Sequence, residues 1–77
     1  MDLNVTVLSP KRVVFEGRAK SVRLPGEYGA FEILPYHKRL LSRLISGVLF
    51  VDDEGLPILR GAVSVDQNNV TVIVEET

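Results

Sequence analysis

A few groups in this 77-residue chain have side chains or spacing that could support chemistry. They are one histidine (His37), five serines, the acidic run Asp52-Asp53-Glu54, and the glycine pair Gly26 and Gly29. As a general base, His37 would need an orienting carboxylate. The nearest upstream is Glu32, five residues back. Ser9, Ser21, Ser42, Ser46 and Ser64 have no base beside them in sequence, so a nucleophile–base pair is not legible. Three adjacent acids do not supply the alternating ligands of a calcium loop and read instead as a solvated hairpin tip. Gly26-Glu27-Tyr28-Gly29 runs into Ala30-Phe31-Glu32-Ile33, where a phosphate loop would open a helix with Lys and Ser/Thr. Glu32 would also repel an anion there. With no cysteine there is neither a thiolate metal site nor a disulfide. The chemistry legible here is therefore that of contact. Lys38, Arg39 and Arg43 beside Tyr36 and His37 form a candidate docking patch, and no cofactor is expected.

The elements that position these groups are short. Asn4 to Leu8 alternates, with Val5 and Val7 on one side and Asn4, Thr6 and Leu8 on the other, as a strand requires. Ser9 to Arg12 reads as a turn, Val13 to Gly17 as a strand, and Arg18 to Leu24 as a strand whose phase shifts once, the mark of a bulge. Pro25 to Gly29 is the strongest turn signal, and Ala30 to Leu34 a short strand stopped by Pro35. Val48 to Asp52 precedes an acidic turn in which Gly55 is expected to take positive φ. Leu56 to Leu59, a break at Arg60-Gly61, Ala62 to Val65, the turn Asp66 to Asn69 and the strand Val70 to Val74 complete the chain. Turn signals every 8 to 12 residues or so indicate an all-β sandwich or barrel. Tyr36 to Ser46 is ambiguous. Leu40, Leu41, Leu44 and Ile45 lie on one helical face with Gly47 as its cap, yet the flanks are strand-like and a bulged strand fits as well.

Composition sets the outer limits. Residues 1–77 suffice for one domain, with 45% apolar residues for a thin core and about 60% of the unfolded surface to bury. Net charge is −1 but unevenly placed. Eight cations face four acids up to Arg43, and Arg60 alone faces six acids after it. Scattered aromatics and no basic excess argue against nucleic acid. No apolar run approaches the ~20 residues of a membrane span, and the start lacks a signal-peptide pattern, so the chain is expected to face the cytosol.

Leu24-Pro-Gly-Glu-Tyr-Gly-Ala-Phe-Glu-Ile-Leu-Pro-Tyr-His37, followed by Leu40-Leu41 and Gly47-Val48, resembles the signature of the F-type ATP synthase epsilon subunit. Val5 to Gly17, with its Ser-Pro turn and Val-Phe-Glu-Gly, and Gly61 to Val74 resemble that family's ends, so the likeness spans nearly the whole chain. It implies a flattened β-sandwich of about ten short strands and favours a bulged strand over Leu40 to Ile45. It also implies a non-catalytic rotor subunit, peripheral on the cytoplasmic face of a bacterial or organellar membrane, that couples gamma to the membrane c-ring. Carried over by position, the ring-side residues are Glu27, Tyr28, Ala30, Glu32, Tyr36 and His37, with Arg39 and Arg43 nearby. Pro25, Gly26, Gly29, Pro35 and Gly47 shape the turns. Tyr36 stands where that family usually has glycine. The family's inhibitory C-terminal helical hairpin is not expected in a chain ending at Thr77, and no nucleotide site is expected either. The alternative reading is a free-standing β-sandwich adaptor that uses the Lys38 to Arg43 patch on an acidic protein or membrane surface.

Overall fold

A computed structural model describes residues 2–77. It contains eight strands: β1 Leu3–Leu8, β2 Val13–Ala19, β3 Val22–Gly26, β4 Gly29–Ile33, β5 Leu40–Leu44, β6 Gly47–Val51, β7 Glu54–Asp66 and β8 Asn69–Glu76. Among the described residues there is no helix. The all-β sandwich class is as the sequence predicts, with eight strands in place of about ten. Part of the difference lies in β7, where the expected strands Leu56 to Leu59 and Ala62 to Val65 are one continuous element. Its first half pairs with β6 and its second with β5 and β8. The Arg60-Gly61 signal is a register shift between Ile58 and Arg60 that bends β7 without ending it.

Strands run β2-β1-β8-β7-β5-β3-β4 through the sheet, with β6 bridging β3 and β7 so that the sheet folds over itself. The terminal strands β1 and β8 lie side by side in parallel register. Between the layers sits an aliphatic core drawn from alternate positions: Leu3, Val5 and Val7 of β1, Val63 and Val65 of β7, and Val70, Val72 and Val74 of β8 meet Val22, Leu24, Ile33, Leu49 and Val51. No polar or charged residue is buried among the described residues, so the core depends on apolar burial alone.

The helical reading of Tyr36 to Ser46 fails for a reason visible in the pattern. Leu40, Ser42 and Leu44 turn toward the interior, while Leu41 is 80% exposed and Ile45 lies half outside. Strand alternation thus places two of the four apolar residues on the surface. Pairing with β7 from Leu40↔Val65 to Leu44↔Gly61 outweighs a weak local preference.

Three turns also differ from expectation. Pro25 and Gly26 belong to β3, and the reversal itself is Glu27-Tyr28, with Gly29 at φ 122. The phase shift near Lys20 separates β2 from β3 and is not a bulge within one strand. At the acidic turn Asp52 takes the left-handed conformation (φ 52), whereas Gly55 lies in β7. Asp52 is also tied down. Its carboxylate accepts the Lys20 and Ser21 amides at 2.9 and 3.1 Å, and its own amide donates to the Ser21 carbonyl at 3.0 Å. A short acidic side chain tolerates that backbone and caps the β2–β3 corner at the same time.

Candidate docking surfaces

Residues 34–37 form a tight reversal after β4. Pro35 presets the second position, Tyr36 occupies the third at φ 69, and the His37 amide donates to the Leu34 carbonyl at 3.1 Å. Proline followed by a left-handed residue is the arrangement of a type II turn. Tyr36 is 76% exposed, so the turn projects an aromatic ring outward. The turn is braced by the β7–β8 hairpin, whose Asn68 accepts the Tyr36 amide through Oδ1 at 2.7 Å. On the far side of the loop Arg39 Nη2 stands 3.5 Å from Asp66 Oδ1. His37 Nδ1 lies 2.7 Å from the Lys38 carbonyl. A carbonyl only accepts, so Nδ1 carries the proton and Nε2 is left to meet a partner.

The other sequence-expected residues lie elsewhere. Glu27 and Tyr28 form the β3–β4 turn at the opposite end of β4, about 15 Å away for a five-residue strand. Tyr28 is fully exposed, and this turn shares a shallow surface with Leu41, Arg43 and Ala62. Between the two turns runs β4, which pairs only with β3 and so leaves one edge open. Ala30 and Glu32 are exposed positions of that strand, and Glu32 stands opposite Arg23. The guanidinium of Arg23 in turn lies 4.7 Å over the Phe50 ring. Glu27, Tyr28, Ala30, Glu32, Tyr36 and His37 therefore form a continuous border, an edge strand with its two flanking turns. Gly26 allows this border to close, because a Cβ there would stand 2.7 Å from the Phe31 ring. Gly47 begins β6 against Pro25.

Arg39 and Arg43 do not make the common basic patch that their proximity in sequence implies. They are four residues apart along an extended segment, about 13 Å, and Arg39 is engaged by Asp66. Both side chains point to the same side of that segment, and Arg43 borders a part of that side the sequence did not single out.

That surface is the outer side of β2-β1-β8-β7-β5. Cross-strand register sets Arg43 beside Ala62, Ala62 beside Ile73, Ile73 beside Leu8 and Leu8 beside Val13, a row crossing five strands and about 19 Å long. Ile73 and Val13 are each more than half exposed. The next row is Leu41, Ser64, Thr71, Thr6 and Glu16, in which the small side chains of Ser64, Thr71 and Thr6 keep the middle of the face flat. Beyond Ala62 and Ile73 on β7 and β8, Arg60 meets Glu75 at 3.2 Å, while Arg43 makes no ion pair among the described residues. An uncovered apolar strip with one unpaired cation at its border is a surface suited to a protein partner. The sequence signal for it was Ile73, an isoleucine at an outward position of an alternating strand.

A sequence model of the ATP synthase delta/epsilon chain β-sandwich domain matches residues 2–77. An ATP synthase epsilon chain from a Nitratiruptor species is 38% identical, covering 95% of this chain and 60% of the relative. One from Synechococcus elongatus is 46% identical over 96% of this chain and 57% of the relative. The chain thus spans less than two thirds of the length of these relatives. Among solved structures, a chain of the Euglena gracilis mitochondrial ATP synthase superposes with a TM-score of 0.89 at 17% identity, covering 97% of this chain and 51% of that one. A chain from the Tetrahymena thermophila mitochondrial ATP synthase central stalk and c-ring gives 0.86 at 15% identity, covering 99% and 65%. At such identities the two structures speak for the fold.

Proposed function

The chain belongs to the ATP synthase delta/epsilon chain β-sandwich family, and from that membership we propose that residues 1–77 act as one non-catalytic rotor module, coupling the gamma subunit to the membrane c-ring. The observation that carries the reading is the presence of two unpartnered surfaces on one rigid sandwich, which meet where the Glu27-Tyr28 turn adjoins Arg43 and Ala62. The flat apolar face running from Arg43 to Val13 suits a large, dry protein contact and is assigned to gamma. The polar β4 border, Glu27 to His37, suits the polar loops at the end of a membrane ring. Transmitting torque needs two broad contacts fixed relative to one another. The tightly paired sheets and wholly apolar core supply that rigidity. The module works peripherally, reaching the membrane through the ring, on its cytoplasmic face, with no cofactor, nucleotide or nucleic acid in its role.

The reading is tested by complementation. Membranes whose ATP synthase lacks its own epsilon subunit are supplied with this chain, and ATP-driven ion pumping is measured beside ATP hydrolysis. Restored pumping per ATP hydrolysed supports the coupling role. Hydrolysis that stays uncoupled with the chain bound would refute it.

A further inference from the structure

We propose that Asn68 is a positioning residue: its side-chain oxygen holds the Leu34–His37 turn in the type II form that presents Tyr36, and docking at this end of the β4 border depends on it. The docking half of this proposal rests on the rotor reading above, while the positioning half stands on geometry alone.

A type II turn requires positive φ at its third position, which is natural for glycine and unfavourable for tyrosine. Left to itself, Leu34-Pro35-Tyr36-His37 would relax to type I, which also accepts proline second and returns Tyr36 to negative φ. The two forms differ by a flip of the Pro35–Tyr36 peptide, so the Tyr36 amide points in different directions in each. In the observed form it meets Asn68 Oδ1 at 2.7 Å, and in the flipped form that acceptor would lose its donor. Asn68 can serve because it is itself fixed. It sits in the two-residue β7–β8 turn with Gln67, both left-handed at φ 65 and 50, and its carbonyl accepts the Asn4 amide at 2.8 Å. The acceptor thus stands on the union of the two terminal strands and the longest strand of the fold. Arg39 on Asp66 ties the same hairpin to the loop's other flank.

The test uses the full chain with two variants. Asn68→Gly keeps the left-handed backbone and removes the acceptor, while Asn68→Asp keeps an acceptor oxygen. Amide hydrogen exchange of Tyr36 at pH 7 should accelerate about five- to tenfold in Asn68→Gly, the order expected for one net hydrogen bond. It should stay within about twofold in Asn68→Asp. Exchange in the β8 core should be unchanged in both, which separates a local effect from unfolding. Capture by a purified gamma–c-ring assembly should weaken in Asn68→Gly and recover in Asn68→Asp. Wild-type exchange at Tyr36 in Asn68→Gly would overturn the positioning role. Faster exchange with undiminished capture would overturn the docking half. If the wild-type chain is not captured at all, the rotor reading fails, and the exchange result still decides the positioning role.

Discussion

The Arg12 guanidinium grips the Glu76 carboxylate through two contacts, 2.7 Å from Nη2 and 3.3 Å from Nε, across 64 residues of chain. One member sits just before β2 and the other ends β8, so the pair clamps the turn after β1 to the final strand. Paired bonds of this geometry are the form of surface ion pair most worth having.

That clamp gives stability a defined pH dependence. The hydrogen bond from Arg12 holds the Glu76 carboxyl below its ordinary value near 4.5. A group whose pKa is lowered by folding stabilises the fold at pH above its unfolded value and loses that contribution as pH falls through the folded one. The melting temperature of wild type should therefore exceed that of Glu76→Gln slightly at pH 7, and the two should converge as pH falls from 4.5 through the lowered value. A difference that persists or widens in acid would contradict the clamp.

Ile73 should matter to binding and little to folding. It is 56% exposed on the outer face, so Ile73→Lys should change stability by less than about 1 kcal/mol. The same charge in the middle of an apolar strip should cost tenfold or more in gamma affinity, about 1.4 kcal/mol. Isothermal titration against gamma, with thermal melts as control, separates the two.

Arg43, on the same face, should respond to charge. Arg43→Glu should weaken gamma binding more than Arg43→Gln, with the gap narrowing as salt rises. Equal affinity in both variants would mean that Arg43 meets no carboxylate.

Gly26 should be intolerant of even one methyl group. A Cβ there would stand 2.7 Å from the Phe31 ring and 2.9 Å from the Gly29 carbonyl oxygen. Gly26→Ala should destabilise the chain by about 1–3 kcal/mol in urea denaturation. Gly29 has open space around its Cβ position but lies at φ 122, so Gly29→Ala should cost a similar amount, about 1–3 kcal/mol, through backbone strain alone.

The fold was legible in the sequence wherever alternation was clean, since strands such as β1 and β8 bury every second residue and period two admits no other reading. It was illegible over Leu40 to Leu44, where a leucine facing outward imitates the stripe of a helix. The same leucine lies on the outer face proposed to meet gamma. The border residues were found by resemblance to a turn motif. What sequence alone could not show is that they line one sheet edge, with Tyr28 and Tyr36 at opposite ends. Asn68 escaped notice because its role depends on a contact 32 residues away in the chain.

The measurement closest to the central claim is capture of this chain by a detergent-solubilised gamma–c-ring assembly, read by size-exclusion chromatography at low and at about 0.5 M salt. Over that range the screening length falls to a few ångströms. A broad apolar face on gamma together with a polar border on the ring predicts one chain per assembly at both salt concentrations, lost in Ile73→Lys. Capture that disappears with salt, or that Ile73→Lys leaves intact, would contradict it.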